Sequence, residues 1–357
     1  MKKVFVAGPL PPPVHGMSKN LLLTGQRIEK NFSVIYLNTS PESLDRNFFY
    51  HSKKIIKFMK ALAKYLMHGR AGEVLYIAPD AGLGQLYSII FLSWARLLGQ
   101  KIFIHHHSFR YVRKKSKLMG IQAYVSRGAT HIFLCDQMRD RFCELYPTKD
   151  SIVVNNSIYT GDPQLVQLRQ EPKNFVQLCA LGNLDEQKGI FEILDTYKQC
   201  RDQGIPVRLR LGGPIGSTKA KEEIDYLISN DTCVESLGFI SNKAEFFRDA
   251  DVMLMPTKYA NEAQPNVIFE AYSFGVDVIS VDRGCIKSDI LNKEHIVPIE
   301  NFSQRAADII KKFSDRKLEH ESKNREEIIN YYEFLQDRAR DGMETLIARI
   351  RAAVDFK

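Results

Sequence analysis

Two glutamates eight residues apart frame the segment of this chain with the clearest chemical reading. It runs Asn261-Glu262-Ala263-Gln264-Pro265-Asn266-Val267-Ile268-Phe269-Glu270-Ala271, after the apolar run Val252–Met255 and Pro256-Thr257. Pro265 suits the first position of a helix, where its missing N–H has no partner to lose. Gly275 suits the far end. The backbone N–H groups of residues 264–267 would then point out of the helix start with the dipole behind them, an arrangement that holds an anion such as a diphosphate. Glu262 precedes the helix. Glu270 lies about one and a half turns into it, where one carboxylate can accept two hydroxyls. Carboxylates on both flanks of such a helix start suit a sugar nucleotide, one for the sugar and one for the ribose. The plainer reading is an ordinary helix with one solvated glutamate before it and another inside it.

A second chemical candidate is the run His105-His106-His107, which closes the apolar stretch 101–104. Neighbouring side chains on an extended chain point to opposite sides, so His105 and His107 can share one. Three adjacent histidines make a poor three-ligand metal set, and no metal is expected here. A general base or a partner for a sugar hydroxyl are the functional readings. A satisfied core histidine is the plain one, and it applies to at least one of the three. No G-x-G-x-x-G follows a strand, which argues against a nicotinamide-dependent enzyme. The six cysteines include no C-x-x-C pair and are expected to be reduced thiols.

Elements must position these groups. With 357 residues, 44% hydrophobic and 26% charged, the chain is long enough for two globular domains and is neither disordered nor a membrane bundle. No run approaches the ~18 apolar residues of a spanning helix. The apolar stretch at residues 4–7 is too short for a signal peptide and runs into prolines, so a cytoplasmic location is expected. Short apolar runs near residues 3–7, 34–37, 74–78, 101–105 and 129–135 alternate with helical stretches, which implies a parallel sheet covered on both faces. The polar segment 156–173 reads as a linker. The alternation then restarts at 175–181, 208–211, 233–237, 252–255 and 277–281. A long charged helix is expected from residue 326 onward. The domain reading is 1–160, 161–325 and a terminal helix over 326–357.

Charge is uneven along the chain. Residues 1–150 carry 23 basic and 9 acidic side chains and residues 151–357 carry 27 and 33, so nets of +14 and −6 make up the +8. Nucleic acid is not an expected partner, because there is no zinc-finger spacing, aromatic RNA-binding signature or basic arm. Lys53, Lys57, Lys60 and Lys64 recur at helical spacing among apolar residues. Arg113 and Lys114 belong to a second basic cluster with Arg110, Lys115 and Lys117. Both clusters read either as solvated faces of ordinary surface helices or as a contact with an anionic membrane.

The glutamate pair in its setting resembles the E-x-x-x-x-x-x-x-E motif of retaining GT-B glycosyltransferases, family 4 in particular. The wider text P-T-x-x-x-x-E-x-x-P-x-x-x-x-E-A-x-x-x-G is also similar. The loop Leu181-Gly182-Asn183-Leu184-Asp185-Glu186-Gln187-Lys188-Gly189 resembles the family loop after the first strand of the second domain. Asn183 stands where the family usually has an arginine. The proline-rich stretch from Gly8 to Ser18 resembles the family's first loop. The resemblance implies a fold of two Rossmann-like, doubly wound α/β domains facing a central cleft. It implies transfer of a sugar from a nucleotide-diphosphate sugar, UDP- ahead of GDP-, to a saccharide or lipid-linked saccharide, with retention. No resident cofactor or metal is implied. Glu262, His107 and Lys188 would then be catalytic, His107 being favoured over His106 because the family histidine lies at the strand-to-loop junction. Gly16, Asn183, Lys188, Gly213, Phe239, Ile240, Gln264, Pro265, Asn266, Val267 and Glu270 would bind the donor. Bacterial surface polysaccharide synthesis is the implied setting. An epimerase of the same shape and a non-catalytic sugar-nucleotide binder are the alternatives.

Overall fold

In both halves of the chain the apolar runs become strands whose two faces are each buried. A computed structural model describes residues 3–41, 50–163, 173–315 and 318–355. The first sheet comprises β1 (Lys3–Gly8), β2 (Ser33–Asn38), β3 (Val74–Ile77), β4 (Lys101–His105), β5 (Thr130–Phe133) and β6 (Asp150–Val153), in the order β2-β1-β3-β4-β5-β6. The second comprises β7 (Val176–Leu181), β8 (Val207–Gly212), β9 (Val234–Ser236), β10 (Val252–Met255) and β11 (Asp277–Ser280), in the order β11-β10-β7-β8-β9. Every strand pair is parallel. The chain divides into two units, Met1–Tyr159 with Asp337–Lys357, and Thr160–Gln336.

Strand alternation explains the layers. In β1, Val4 and Val6 enter one core with Leu21 and Ile28 of the helix Gly16–Glu29, while Phe5 and Ala7 enter another with Phe58 and Phe91. In β7, Val176, Leu178 and Ala180 pack with Ile190, Ile193 and Ile310, and Cys179 faces Ile268 and Phe269 on the other side. Both faces of each sheet are thus apolar, as doubly wound parallel sheets require.

The long terminal helix starts earlier than residue 326 and runs Leu318–Asp355. Its Ile328, Tyr332 and Leu335 belong to a core of the second unit, and its Ala339, Met343, Leu346 and Ile350 to a core of the first. Three elements were not picked out from the sequence: the helices Asp136–Leu145 and Phe302–Ser314, and β6. Asp150 and Ser151 interrupt the apolar pattern of β6, which is an edge strand fixed by its pairing with β5. The helix Phe302–Ser314 does carry an amphipathic pattern, burying Phe302, Ala306, Ala307, Ile309 and Ile310, but the sequence reading did not pick it out. Of the expected linker, residues 156–159 form a buried 3-10 turn and residues 164–172 lie outside the described residues. Cys143, Cys179, Cys200 and Cys233 are free thiols, as expected.

If the terminal helix is a wall of the first core, Leu346→Ala should cost the first unit about 2–5 kcal/mol. Urea unfolding followed by circular dichroism should show that transition at lower denaturant, and an unmoved midpoint would contradict this packing.

Candidate active site

The order of the second sheet creates a switch point. From β7 the chain moves outward through β8 to β9, then returns to β10 on the opposite side of β7. Loops leaving the carboxyl ends of β7 and β10 therefore diverge over the sheet, the place where ligands of such sheets bind. Both glutamates and the lysine singled out above lie on or just beyond these loops.

The two loops are stitched together. In the β7 loop, buried Leu184 anchors the turn, its N–H bonding the Pro214 carbonyl at 2.9 Å. Asp185 accepts the Lys188 N–H through Oδ1 at 2.9 Å. Gly189 has a φ of +81°, and a Cβ there would stand 2.2 Å from the Pro256 carbonyl oxygen. Only glycine allows the loops so close. The Lys258 N–H crosses to the Gln187 carbonyl at 2.8 Å.

That stitching brings Lys188 Nζ onto the Glu262 carboxylate as an ion pair. Glu262 Oε2 also lies 3.4 Å from the hydroxyl of fully buried Thr257. The Lys188 ammonium stands 5.6 Å from the centre of the Tyr259 ring. The Lys188 side chain is 37% exposed and that of Glu262 12%, so the cation presents itself to solvent while the carboxylate is held from behind. This group can meet a phosphate with the ammonium and sugar hydroxyls with the carboxylate.

Glu270 sits within the helix Asn266–Tyr272, and its carboxylate pairs with Lys243 from the short helix Lys243–Phe247. Pro265 is the residue before the helix, with φ −73° and ψ 124°, rather than its first member. The seven-residue helix has a correspondingly small dipole, so an anion there would rely on local N–H groups. Gln264 is buried and donates its amide to both Asp289 oxygens at 3.0 Å, so its side chain is turned away from a ligand role. Asn266 and Val267 are half-buried at the helix start. Asn183 is exposed. The Gly213 N–H bonds the Gly238 carbonyl at 2.6 Å. Phe239 is 85% exposed, whereas Ile240 packs against the core beneath. Sequence reasoning missed Thr257, Tyr259 and Lys243. The first two lie inside the quoted motif, but no spacing rule links Lys243 to Glu270.

In the first unit, Gly16 opens the helix Gly16–Glu29, and a Cβ there would meet no atom within 4 Å. Packing does not demand this glycine. His15 caps the helix, its Nδ1 accepting the Ser18 N–H at 3.3 Å. The histidine run divides as strand alternation requires: the rings of His105 and His107 lie 4.0 Å apart on one side. His106 points the other way into the core, 3.0 Å from the Tyr111 hydroxyl and 2.9 Å from His131 Nδ1, with its ring stacked on Phe133. It is a structural residue, and the functional reading does not fit it. His105 Nδ1 meets the Tyr76 hydroxyl at 2.5 Å. His107 Nε2 is buried and unpartnered. Burial pushes His107 down to about 4 and, with neighbouring imidazoles, holds His105 and His106 well below the usual histidine range. His107 is therefore a neutral imidazole with one nitrogen unused.

Comparison with known proteins bears on these sites. Residues 176–315 match the family Glycosyl transferases group 1. The capsular polysaccharide biosynthesis glycosyltransferase CapM of Staphylococcus aureus is 28% identical over 148 residues, 41% of this chain. That match spans only 38% of CapM. Among solved structures, sucrose-phosphate synthase from Thermosynechococcus elongatus superposes with a TM-score of 0.71 at 14% identity, covering 99% of this chain and 100% of that one. Anabaena HepE, in complex with UDP, gives 0.65 at 16% identity with 99% of each chain covered. The fold is thus of the GT-B type, two Rossmann-like units.

Two outcomes are expected. Gly189→Ala combines a left-handed backbone with a carbonyl collision, so it should lower stability by about 1–3 kcal/mol and part Lys188 from Glu262. Thermal unfolding checks the first effect and a crystal structure the second. The second concerns pH. The buried histidines bind fewer protons folded than unfolded, so the first unit is fully stabilised above their ordinary pKa of 6.5 and loses stability as pH falls towards the His107 value of about 4. Its urea midpoint should drop between about pH 7 and about pH 5, and a midpoint indifferent to pH would contradict neutral burial.

Proposed function

We propose that the chain, whose residues 176–315 match the family Glycosyl transferases group 1, is a retaining glycosyltransferase. It moves a sugar from a nucleotide-diphosphate sugar to a saccharide or lipid-linked saccharide in bacterial surface polysaccharide synthesis. The observation that carries this reading is the Lys188–Glu262 pair at the switch point of the second sheet. UDP-sugars rank ahead of GDP-sugars as donors. HepE, a fold relative, was solved with UDP and with UDP-glucose. The related CapM supports the polysaccharide setting.

In this reading the bond from the anomeric carbon to the diphosphate oxygen breaks and one to the acceptor oxygen forms on the same face. The acceptor proton passes to the leaving phosphate oxygen. Lys188 and the N–H groups at Asn266 and Val267 meet the charge that develops on the diphosphate, so the reaction needs no metal and no resident cofactor. Glu262, freed from Lys188 as the phosphate takes the ammonium, holds sugar hydroxyls. Glu270 exchanges Lys243 for the ribose. Exposed Phe239 flanks the base. His107, neutral and with Nε2 unused, bonds a sugar hydroxyl, and Gly16 leaves room for a phosphate or acceptor against the backbone.

A thermal-shift panel of UDP-, GDP- and ADP-sugars, followed by a transfer assay on the best donor with and without chelator, tests the proposal. Lys188→Ala and Glu262→Ala should each lower turnover by about 10²–10³-fold while the circular dichroism spectrum stays unchanged. Wild-type turnover in both variants would refute the assignment, as would epimerisation of the donor in the absence of an acceptor.

A further inference from the structure

Cations around the site in the second unit are spent on carboxylates. Lys188 pairs with Glu262 and Lys243 with Glu270. Lys258 reaches Glu192 at 2.9 Å, and Lys287 lies 3.5 Å from Asp282. Arg283 is an exception. It stands half-buried just past β11, and its Nε is enclosed without a hydrogen-bond partner. Among the described residues, none forms an ion pair with its guanidinium. Its neighbour in sequence, Asp282, faces Lys287 instead.

Backbone contacts hold Arg283 beside the site. β10 and β11 are adjacent parallel strands, so the loops that leave them start side by side. Gly284 has a φ of +56°, and a Cβ there would collide with the carbonyl oxygens of Glu262 and Ala263. The Cys285 N–H bonds the Ala263 carbonyl at 2.7 Å. Gln264 donates to Asp289, the last residue of the short helix Ile286–Asp289. Residues 284–289 are thus zipped along the loop 262–264, which runs from the Glu262 carboxylate towards the helix start at Asn266. The loop cannot drift away from Arg283.

An arginine in this state is costly. Covering part of a guanidinium forfeits hydration, and here no acceptor or counter-charge replaces it. Packing alone would be served as well by an apolar side chain of similar volume. A purely solvated arginine would keep its Nε in water. The account that remains is a ligand that brings both the acceptor and the charge.

We propose that Arg283 is a further donor-binding residue, whose guanidinium takes oxygens of the diphosphate alongside Lys188. The proposal rests on the donor reading of the Lys188–Glu262 site. A diphosphate ester carries negative charge on both phosphates. The ion pairs at Glu262 and Glu270 are neutral as they stand, so Lys188 answers one phosphate and Arg283 the other. The planar fork of an arginine matches two phosphate oxygens at once, which an ammonium cannot do. As the sugar leaves, the same fork meets the charge that grows on the diphosphate.

Calorimetric titration of the full chain with UDP, GDP and ADP, and with the matching nucleosides, tests this. The wild type should bind one diphosphate more tightly than its nucleoside. Arg283→Gln should weaken that diphosphate about thirtyfold and leave the nucleoside unchanged. Arg283→Lys should keep part of the affinity, because the charge stays and the fork is lost. Thermal unfolding without ligand separates this from a structural role. Arg283→Gln should unfold no lower than wild type, since no protein contact is lost. Diphosphate affinity equal to wild type in Arg283→Gln overturns the proposal, and leaves the donor reading standing if Lys188→Ala loses affinity. A lowered unfolding temperature with diphosphate and nucleoside weakened alike also overturns it, because Arg283 would then support the fold. A wild type that binds none of the three diphosphates sinks the donor reading and this proposal with it.

Discussion

A cation and a carboxylate delivered by loops from two neighbouring strands meet at one point above the second sheet, and the local structure is arranged to hold them there. Leu184 anchors one loop, Asp185 caps it, and Gly189 removes the side chain that would keep the other loop away. Thr257 supports the carboxylate from beneath. A partly buried pair of this kind adds little net stability, because desolvation offsets the attraction. Its value is readiness. Each charge is partly desolvated and oriented, so a ligand that offers an anion to one and hydroxyls to the other replaces an existing contact rather than ordering a loose one.

The same economy recurs at Glu270, which Lys243 neutralises from a separate short helix. Two ion pairs thus occupy the two carboxylates that flank Asn266 and Val267. This arrangement gives the second unit a site of low net charge but high local polarity, suited to a substrate that carries both phosphate and hydroxyl groups.

Much of this was legible from residue order, for physical reasons that differ by element. Parallel strands buried on both faces read as continuous apolar runs, so β1, β4, β7 and β10 stand out. β6 does not, because an edge strand tolerates Asp150 and Ser151. The loop-and-helix setting of Glu262 was visible because proline and glycine mark where helices begin and end. The partner of Glu270 was not, because Lys243 lies far off in sequence and no periodicity connects them. Alternation along β4 correctly placed His105 with His107, but only packing revealed that His106 belongs to the core with Tyr111 and His131. Helical spacing found the lysine stripe of Tyr50–His68. It could not tell which apolar residues the sheet would leave uncovered.

The terminal helix carries a consequence for how the protein is made. The first unit draws Ala339, Met343, Leu346 and Ile350 from it, residues synthesised after the whole second unit. The earlier strands therefore leave the ribosome with one side of their sheet only partly covered, by the helix Gly16–Glu29. That core closes only when translation has passed residue 350, so the half of the protein made first is completed last.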